Sequence, residues 1–398
     1  MKPKLLVLTS SFMRWKDDAV GGGNFVYELS KRLLSSFDVF VLAPRSKNSK
    51  KEEVIDDLKV RRFKQFPLIN IELTKMGGIL SNLKKNKILY FILPFFLLQQ
   101  FISIARLVKS EKIEIIHAHW IIPQAFIAVL YRKISGAKIK ILATIHGSDF
   151  LGLSGKFGNK LKKYVFDNID ELTVVSASLK DAVVEFGYKK EIYVYSMGID
   201  TTMFSPDKKN PNLKARFSIN GEYLLYVGAC TENKGIRYLV EAIPKIVAEY
   251  PDLKLLIIGD GVLKTEMISL VEQQNVQDNV LFLGAILNNE LPEFYATADI
   301  FVMPSLYDGF GLVNIEAMSC GTLPIVSDIP VFREIIEDGK TGVLVELKNS
   351  EKLASAVVRY LRNPEENIKM ASRCRQDIIG KFDWVIVGNN YRELLLKV

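Results

Sequence analysis

Short aliphatic and β-branched runs alternate with segments of helical periodicity along the chain. Residues 4–9 (KLLVLT) and 38–42 (DVFVL) predict strands. Between them Phe25, Val26, Leu29 and Leu33 share one helical face, and Asn24 stands where an N-cap is expected. The glycine run Gly21, Gly22, Gly23 precedes that helix. Strand, glycine loop, helix and strand make a βαβ unit, whose parallel crossover is right-handed. Strands are expected again at 113–117, 139–144 and 171–175. The alternation then starts afresh. A strand at 223–227, a turn to Lys234 and Gly235, a helix around 238–243 and a strand at 253–259 form a second βαβ unit. Strands at 280–283, 299–303 and 323–326 continue it. Two such runs predict an α/β fold of two doubly wound parallel-sheet domains. The boundary is expected within 198–211, where turn formers and charges cluster, giving domains of 1–197 and 198–383.

One segment departs from this rhythm. Residues 88–98 (ILYFILPFFLL) are wholly apolar and follow Lys84, Lys85 and Lys87. Pro94 interrupts the run, Gln99 and Gln100 end it, and Arg106 arrives before the ~20 residues a bilayer span requires. A buried helix of the first domain is expected. An interfacial helix with basic flanks is the functional alternative.

Composition changes the picture in two places. With 398 residues, 48% of them apolar and 25% charged, the chain suits two globular domains and excludes a disordered chain or a disulfide scaffold. The net charge of +8 hides a split: residues 1–190 hold 32 Lys and Arg against 17 Asp and Glu, and residues 191–398 hold 21 against 28. A basic half suits nucleic acid, an anionic membrane surface or a phosphorylated substrate, and charge alone does not choose among them. Cys230, Cys320 and Cys374, odd in number and widely spaced, fit a reducing compartment and form no metal-ligand spacing. Lys2 and Lys4 lead only into the short apolar run 5–8, too brief for a secretory leader, so a cytoplasmic location is expected.

The chemistry concentrates at 304–321 (PSLYDGFGLVNIEAMSCG), which follows a strand and opens a helix. Gly309 and Gly311 allow a tight turn and a close backbone approach to a ligand. The helix from about Leu312 offers free amides and a positive dipole end, suited to phosphate. Asp308 and Glu316 bracket the loop as acceptors for sugar hydroxyls, although a plain glycine turn with a surface acid and a helical glutamate has the same residues. Lys234, just before another helix, offers an ammonium to the same phosphates or is a solvated helix-start lysine. Both loops leave strand C-termini, so in a parallel sheet they open on the ligand-binding edge. All three histidines lie in the first half. His117 and His119, next to Trp120, alternate onto one strand face, and His146 with Asp149 follows the adjacent strand. Core packing is the plain alternative, and zinc ligation by these side chains the sharp one.

In this order the motifs resemble one family over nearly the whole chain. They are the Gly21–Gly23 run, 116–119 (IHAH), 144–149 (TIHGSD), 197–200 (MGID), Lys234 with Gly235, 259–261 (GDG), 308–318 (DGFGLVNIEAM) and 382–384 (FDW). The sequence is similar to the retaining, nucleotide-sugar-dependent glycosyltransferases of group 1 (family four), whose GT-B architecture sets two Rossmann-like domains facing a cleft. The resemblance implies that Glu316 binds the ribose, Asp308 a hydroxyl of the donor sugar, and Lys234 with the amides of Gly311 and Leu312 the diphosphate. Gly309 and Phe310 would complete the donor loop, and Gly22 and Gly23 would let the first helix approach donor and acceptor. His146 would assist beside the reacting sugar by hydrogen bonding or charge stabilisation, with His119 and Trp120 on the acceptor side. The first domain would face the acceptor, completed by a C-terminal helix (384–398), and the second would bind the donor.

The same resemblance implies a hexosyltransferase-type enzyme moving sugar from a UDP-, GDP- or ADP-sugar to a glycan or lipid-linked acceptor of cell-surface polysaccharide or glycolipid synthesis. It would need no metal or other cofactor and act on no nucleic acid, and the basic first domain is expected to dock it peripherally on the inner membrane face. Two departures stand out. Asp308 occupies a position where the family often has Glu, and Ala229 one where it usually has Arg. A nucleotide-sugar epimerase of the same architecture, a metal-dependent hydrolase built on the three histidines, and a non-catalytic binding module are the competing readings.

Overall fold

A computed structural model of the chain describes residues 2–14, 24–66, 72–74, 79, 82–83 and 86–398. It forms two compact units, Met1–Gly198 with Trp384–Val398, and Ile199–Asp383. The Gly21–Gly23 run lies outside the described residues, and with it the roles expected of Gly22 and Gly23.

The first unit is built on an eight-stranded sheet of β1 (Lys4–Leu8), β2 (Asp38–Pro44), β3 (Glu52–Ile55), β4 (Leu58–Phe63), β5 (Ile115–His119), β6 (Lys140–Ile145), β7 (Glu171–Val174) and β8 (Tyr193–Val194). Their order is β3-β4-β2-β1-β5-β6-β7-β8, with β3 antiparallel and the rest parallel. Leu5 to Leu8 of central β1 are wholly buried, as a strand covered on both faces requires. β5 runs two residues later than its apolar pattern suggests. Leu5 pairs with Ile115, while the Glu114 carboxylate accepts from the Lys4 amide, so both His117 and His119 fall inside the strand. The β3–β4 hairpin was not predicted. Its sequence is dense in charge, and only Ile55, Leu58, Val60 and Phe63 mark the buried face, around left-handed residues at Asp56 and Asp57.

The apolar segment differs from expectation. The helix Leu89–Glu111 runs through Pro94 and past Gln99 and Gln100 for 23 residues, the one described helix long and apolar enough to cross a membrane. Pro94 and Tyr90, four positions before it and the residue whose carbonyl loses its partner, are both exposed, and glutamine is a good helix former that need not stop the run. Nor is the helix simply buried. Leu89, Ile92, Phe96, Gln100, Ile104 and Leu107 pack inward along its length, whereas Tyr90, Phe91, Phe95 and Leu98 are exposed, Phe91 by 79%.

The helix Trp384–Lys397 belongs to this first unit. Tyr391 is buried with its hydroxyl donating to Tyr195 O at 3.0 Å, and the Arg32 guanidinium lies 5.1 Å from the Trp384 ring centre.

The second unit carries β9 (Tyr223–Val227), β10 (Lys254–Ile258), β11 (Val280–Gly284), β12 (Ile300–Met303), β13 (Leu323–Ser327) and β14 (Val343–Val345), all parallel, in the order β11-β10-β9-β12-β13-β14. The chain winds outward from β9 in one direction and from β12 in the other. In the first sheet the same reversal falls between β1 and β5. Loops leaving the strand C-termini at a reversal diverge and leave a crevice, the usual ligand position in such sheets.

Candidate functional site

In the second unit the loops after β9 and β12 meet. Lys234 Nζ lies 2.6 Å from Asp308 Oδ2, both side chains part-buried. Gly235, at φ 63, brings its backbone so close to the Pro304 carbonyl that a Cβ there would overlap it. Leu306 N donates to Asn233 O at 2.9 Å, a further tie between the loops. Asp308 Oδ1 accepts from the amides of Gly309 (2.8 Å) and Phe310 (3.4 Å). These two amides therefore orient the carboxylate and are not free for phosphate, and the Phe310 ring is buried 5.4 Å from that of Phe382. What remains for an anion is the start of the helix Leu312–Ser319, which no side chain caps, with Gly311 left-handed at φ 91. The amides of Leu312 and Val313, in its first turn, have no intrahelical acceptor.

Glu316 lies one turn further along that helix. Burial pushes its carboxyl up to about 7, against the opposing effect of the Tyr295 hydroxyl, which donates to Oε2 at 2.8 Å. Tyr295 is a site residue the sequence reading missed: it lies 21 positions away, and only the fold brings it there. Asn314 was missed too. It is wholly buried, and neither amide atom has a hydrogen-bond partner among the described residues. Ala229 is exposed at the mouth of the β9 loop, its carbonyl accepting from the Tyr226 hydroxyl at 3.0 Å.

In the first unit the loops after β5 and β6 hold an aromatic cluster. His119 Nδ1 is 3.0 Å from His146 Nε2, and His117 Nε2 is 2.8 Å from Thr144 Oγ1. Trp120 (4.8 Å between ring centres) and Phe25 (5.1 Å) flank His146. Asp149 ties the two loops, accepting from the Ile121 amide at 2.8 Å and the His146 amide at 3.1 Å. Its oxygens are thus committed to backbone, and among the described residues no group of three or more His, Cys, Asp or Glu is placed to hold a metal ion. Burial lowers His117 and His146 to about 3 and His119 well below its ordinary value, so all three rings are neutral near pH 7. Burial lifts Asp149 to about 6 against its backbone hydrogen bonds.

Two α/β sheets of this topology, the second with an ammonium–carboxylate bridge beside an open helix start, have the architecture of GT-B glycosyltransferases. Residues 210–377 match the model "Glycosyl transferases group 1" and residues 20–203 the model "Glycosyltransferase Family 4". The chain is 30% identical over 299 residues to the N-acetyl-alpha-D-glucosaminyl L-malate synthase of Bacillus anthracis, covering 74% of this chain and 78% of that one. It is 26% identical over 307 residues to a GDP-mannose-dependent monoacylated alpha-(1-6)-phosphatidylinositol monomannoside mannosyltransferase of Corynebacterium glutamicum, covering 74% and 79%. Sucrose-phosphate synthase from Thermosynechococcus elongatus superposes with a TM-score of 0.80 at 21% identity over the full length of both chains, a likeness of fold. The chain belongs to the group 1 glycosyltransferases, enzymes that transfer sugar from nucleotide-sugar donors. None of these relatives supports the epimerase or the hydrolase.

The neutral histidines make stability depend on pH with a defined sign. Their folded values lie below the unfolded one, so between about pH 3 and 6.5 the unfolded chain binds more protons. Their contribution is complete above about 6.5 and is lost as pH falls toward 3; Asp149 alone among these four opposes it. In urea titrations across this range, His117→Gln, whose amide can still donate to Thr144, should lower the proton uptake on unfolding by about one.

Proposed function

We propose that the protein is a retaining glycosyltransferase that moves a hexose from a UDP-, GDP- or ADP-sugar to a glycan or lipid-linked acceptor in cell-surface polysaccharide or glycolipid synthesis. The observation that carries this reading is the 2.6 Å contact between Lys234 and Asp308 across the strand reversal of the second sheet. A nucleoside diphosphate leaves with growing negative charge. An ammonium and the open helix start at Leu312 oppose that charge without a metal ion or other cofactor. Asp308, its carboxylate oriented by two amides, accepts from a hydroxyl of the donor sugar, and Glu316 accepts from the ribose. Retention is what the resemblance to the family-four enzymes implies. In such a transfer the acceptor hydroxyl attacks the anomeric carbon on the face the phosphate leaves, and the departing phosphate oxygen takes its proton. The family resemblance further implies a role at the reacting sugar for His146 and acceptor-side roles for His119 and Trp120.

The same reading places the protein in the cytoplasm, peripheral on the inner face of an anionic membrane. The helix Leu89–Glu111 supports an interfacial pose over a spanning one, because one face is packed on its domain along the full length. Its outward Tyr90, Phe91, Phe95 and Leu98 stand between exposed Lys87 and exposed Arg106 and Lys109, in the chain's basic half. Aromatic insertion flanked by cations matches an anionic lipid surface.

Two outcomes test these assignments. In a thermal-shift panel of UDP-, GDP- and ADP-sugars, one donor class should raise the Tm. Glu316→Ala should weaken that donor's binding by about tenfold, whereas Lys234→Ala should mainly lower kcat; equal effects on both parameters would contradict the division of roles. In flotation, the protein should bind phosphatidylglycerol vesicles in a salt-sensitive way and pure phosphatidylcholine weakly. Phe91→Glu with Phe95→Glu should abolish the binding, and its persistence in that variant would remove the helix from the interface.

A further inference from the structure

His119 and His146 meet edge to edge. Their bonded nitrogens are 3.0 Å apart, their ring centres 5.2 Å, and their planes differ by 24°. That centre-to-centre distance equals the hydrogen bond plus two ring radii, so the imidazoles lie in line and are not stacked face to face. A single proton sits between His119 Nδ1 and His146 Nε2. The ring that owns it decides what His146 offers from its other nitrogen.

The surroundings settle the ownership. His119 is wholly buried, and its Nε2 has no hydrogen-bond partner among the described residues. A buried N–H without an acceptor is rarer and costlier than an acceptor atom left unfilled. His119 therefore keeps a bare lone pair at Nε2 and holds its proton at Nδ1, donating it to His146 Nε2. Neutral His146 then has only Nδ1 left for its own proton. His117 is set the other way by the same argument: its Nδ1 has no hydrogen-bond partner among the described residues, so its proton sits at Nε2, 2.8 Å from Thr144 Oγ1.

We propose that His119 is a positioning residue that locks His146 as its Nδ1–H tautomer, so that His146 meets a sugar hydroxyl only as a neutral hydrogen-bond donor. The lone pair with which His146 would abstract a proton is occupied by His119. Burial of the rings, with the depressed basicity that results, removes the imidazolium form near neutral pH as well. Of the two roles the family resemblance allows His146, hydrogen bonding survives and charge stabilisation does not. Phe25 and Trp120 hold the ring plane on which this directionality depends. The consequence for sugar transfer rests on the function proposed above. The tautomer itself is a property of the free protein and stands or falls without substrate.

The chain has only three histidines, so nitrogen-15 labelling of histidine gives a spectrum simple enough to assign with single variants. Long-range proton–nitrogen correlation near pH 7 should show His117 as Nε2–H, and His119 and His146 as Nδ1–H. His146 observed as Nε2–H overturns the proposal. His119→Asn places an amide N–H where Nδ1–H was and should keep His146 as Nδ1–H. His119→Ala should release it into a mixture of both tautomers, and a His146 still wholly Nδ1–H there contradicts the lock. Should His119→Ala fail to fold, the wild-type and His119→Asn spectra decide alone. Nucleotide-sugar binding, measured separately by thermal shift, reports on the proposed function and is untouched by either spectrum.

Discussion

Lys234 and Asp308 are 74 positions apart in sequence and 2.6 Å apart in space, and much of the second unit's chemistry depends on that contact. It exists because β9 and β12 are neighbours at the one point where the strand order of their sheet reverses. Each strand delivers its following loop to the same edge, and Gly235 lets the first loop lie directly against the carbonyl that begins the second. The carboxylate is fixed from its other side by two successive amides, so the ammonium is held without a long lever arm. The helix start at Leu312 remains uncapped beside it. Opposite charges and free amides gathered at one edge suit a ligand with both hydroxyls and phosphates.

The first unit gathers a different chemistry on the loops after β5 and β6, beside the reversal of its own sheet between β1 and β5. Its loops bring together neutral imidazoles and aromatic rings, and a carboxylate, Asp149, whose oxygens accept from backbone amides. Dry burial keeps the three imidazoles uncharged, and in-line hydrogen bonding gives the His119–His146 pair direction. One unit thus presents charge and the other presents oriented neutral groups. That division arises from which side chains the strand ends of each sheet collect.

Much of this was legible in the sequence because parallel strands buried on both faces read as apolar runs, and because glycine, lysine and carboxylate cluster where such strands end. The β9 run was read with its true ends, and the loop at 308–316 was singled out before any contact was known. Other parts were hidden for identifiable reasons. The charged β3–β4 hairpin carries too few apolar residues to stand out. The helix past Gln99 and Gln100 shows that a polar pair does not stop a helix whose packed face continues. Gly309 and Phe310 look like free amide donors until the Asp308 side chain turns back onto them. Tyr295 carries no motif, and its place beneath Glu316 is a product of tertiary packing.

A double-mutant cycle on donor binding tests the central claim most directly. Affinities of the protein for its nucleotide sugar would be measured by calorimetry for the wild type, Lys234→Ala, Asp308→Ala and the double variant. If the two side chains act on one ligand at a shared edge, their effects on donor affinity are coupled by about 1 kcal/mol or more, the loss in Lys234→Ala being small beside its loss of kcat. Strict additivity, or donor affinity unchanged in all three variants, would contradict the account.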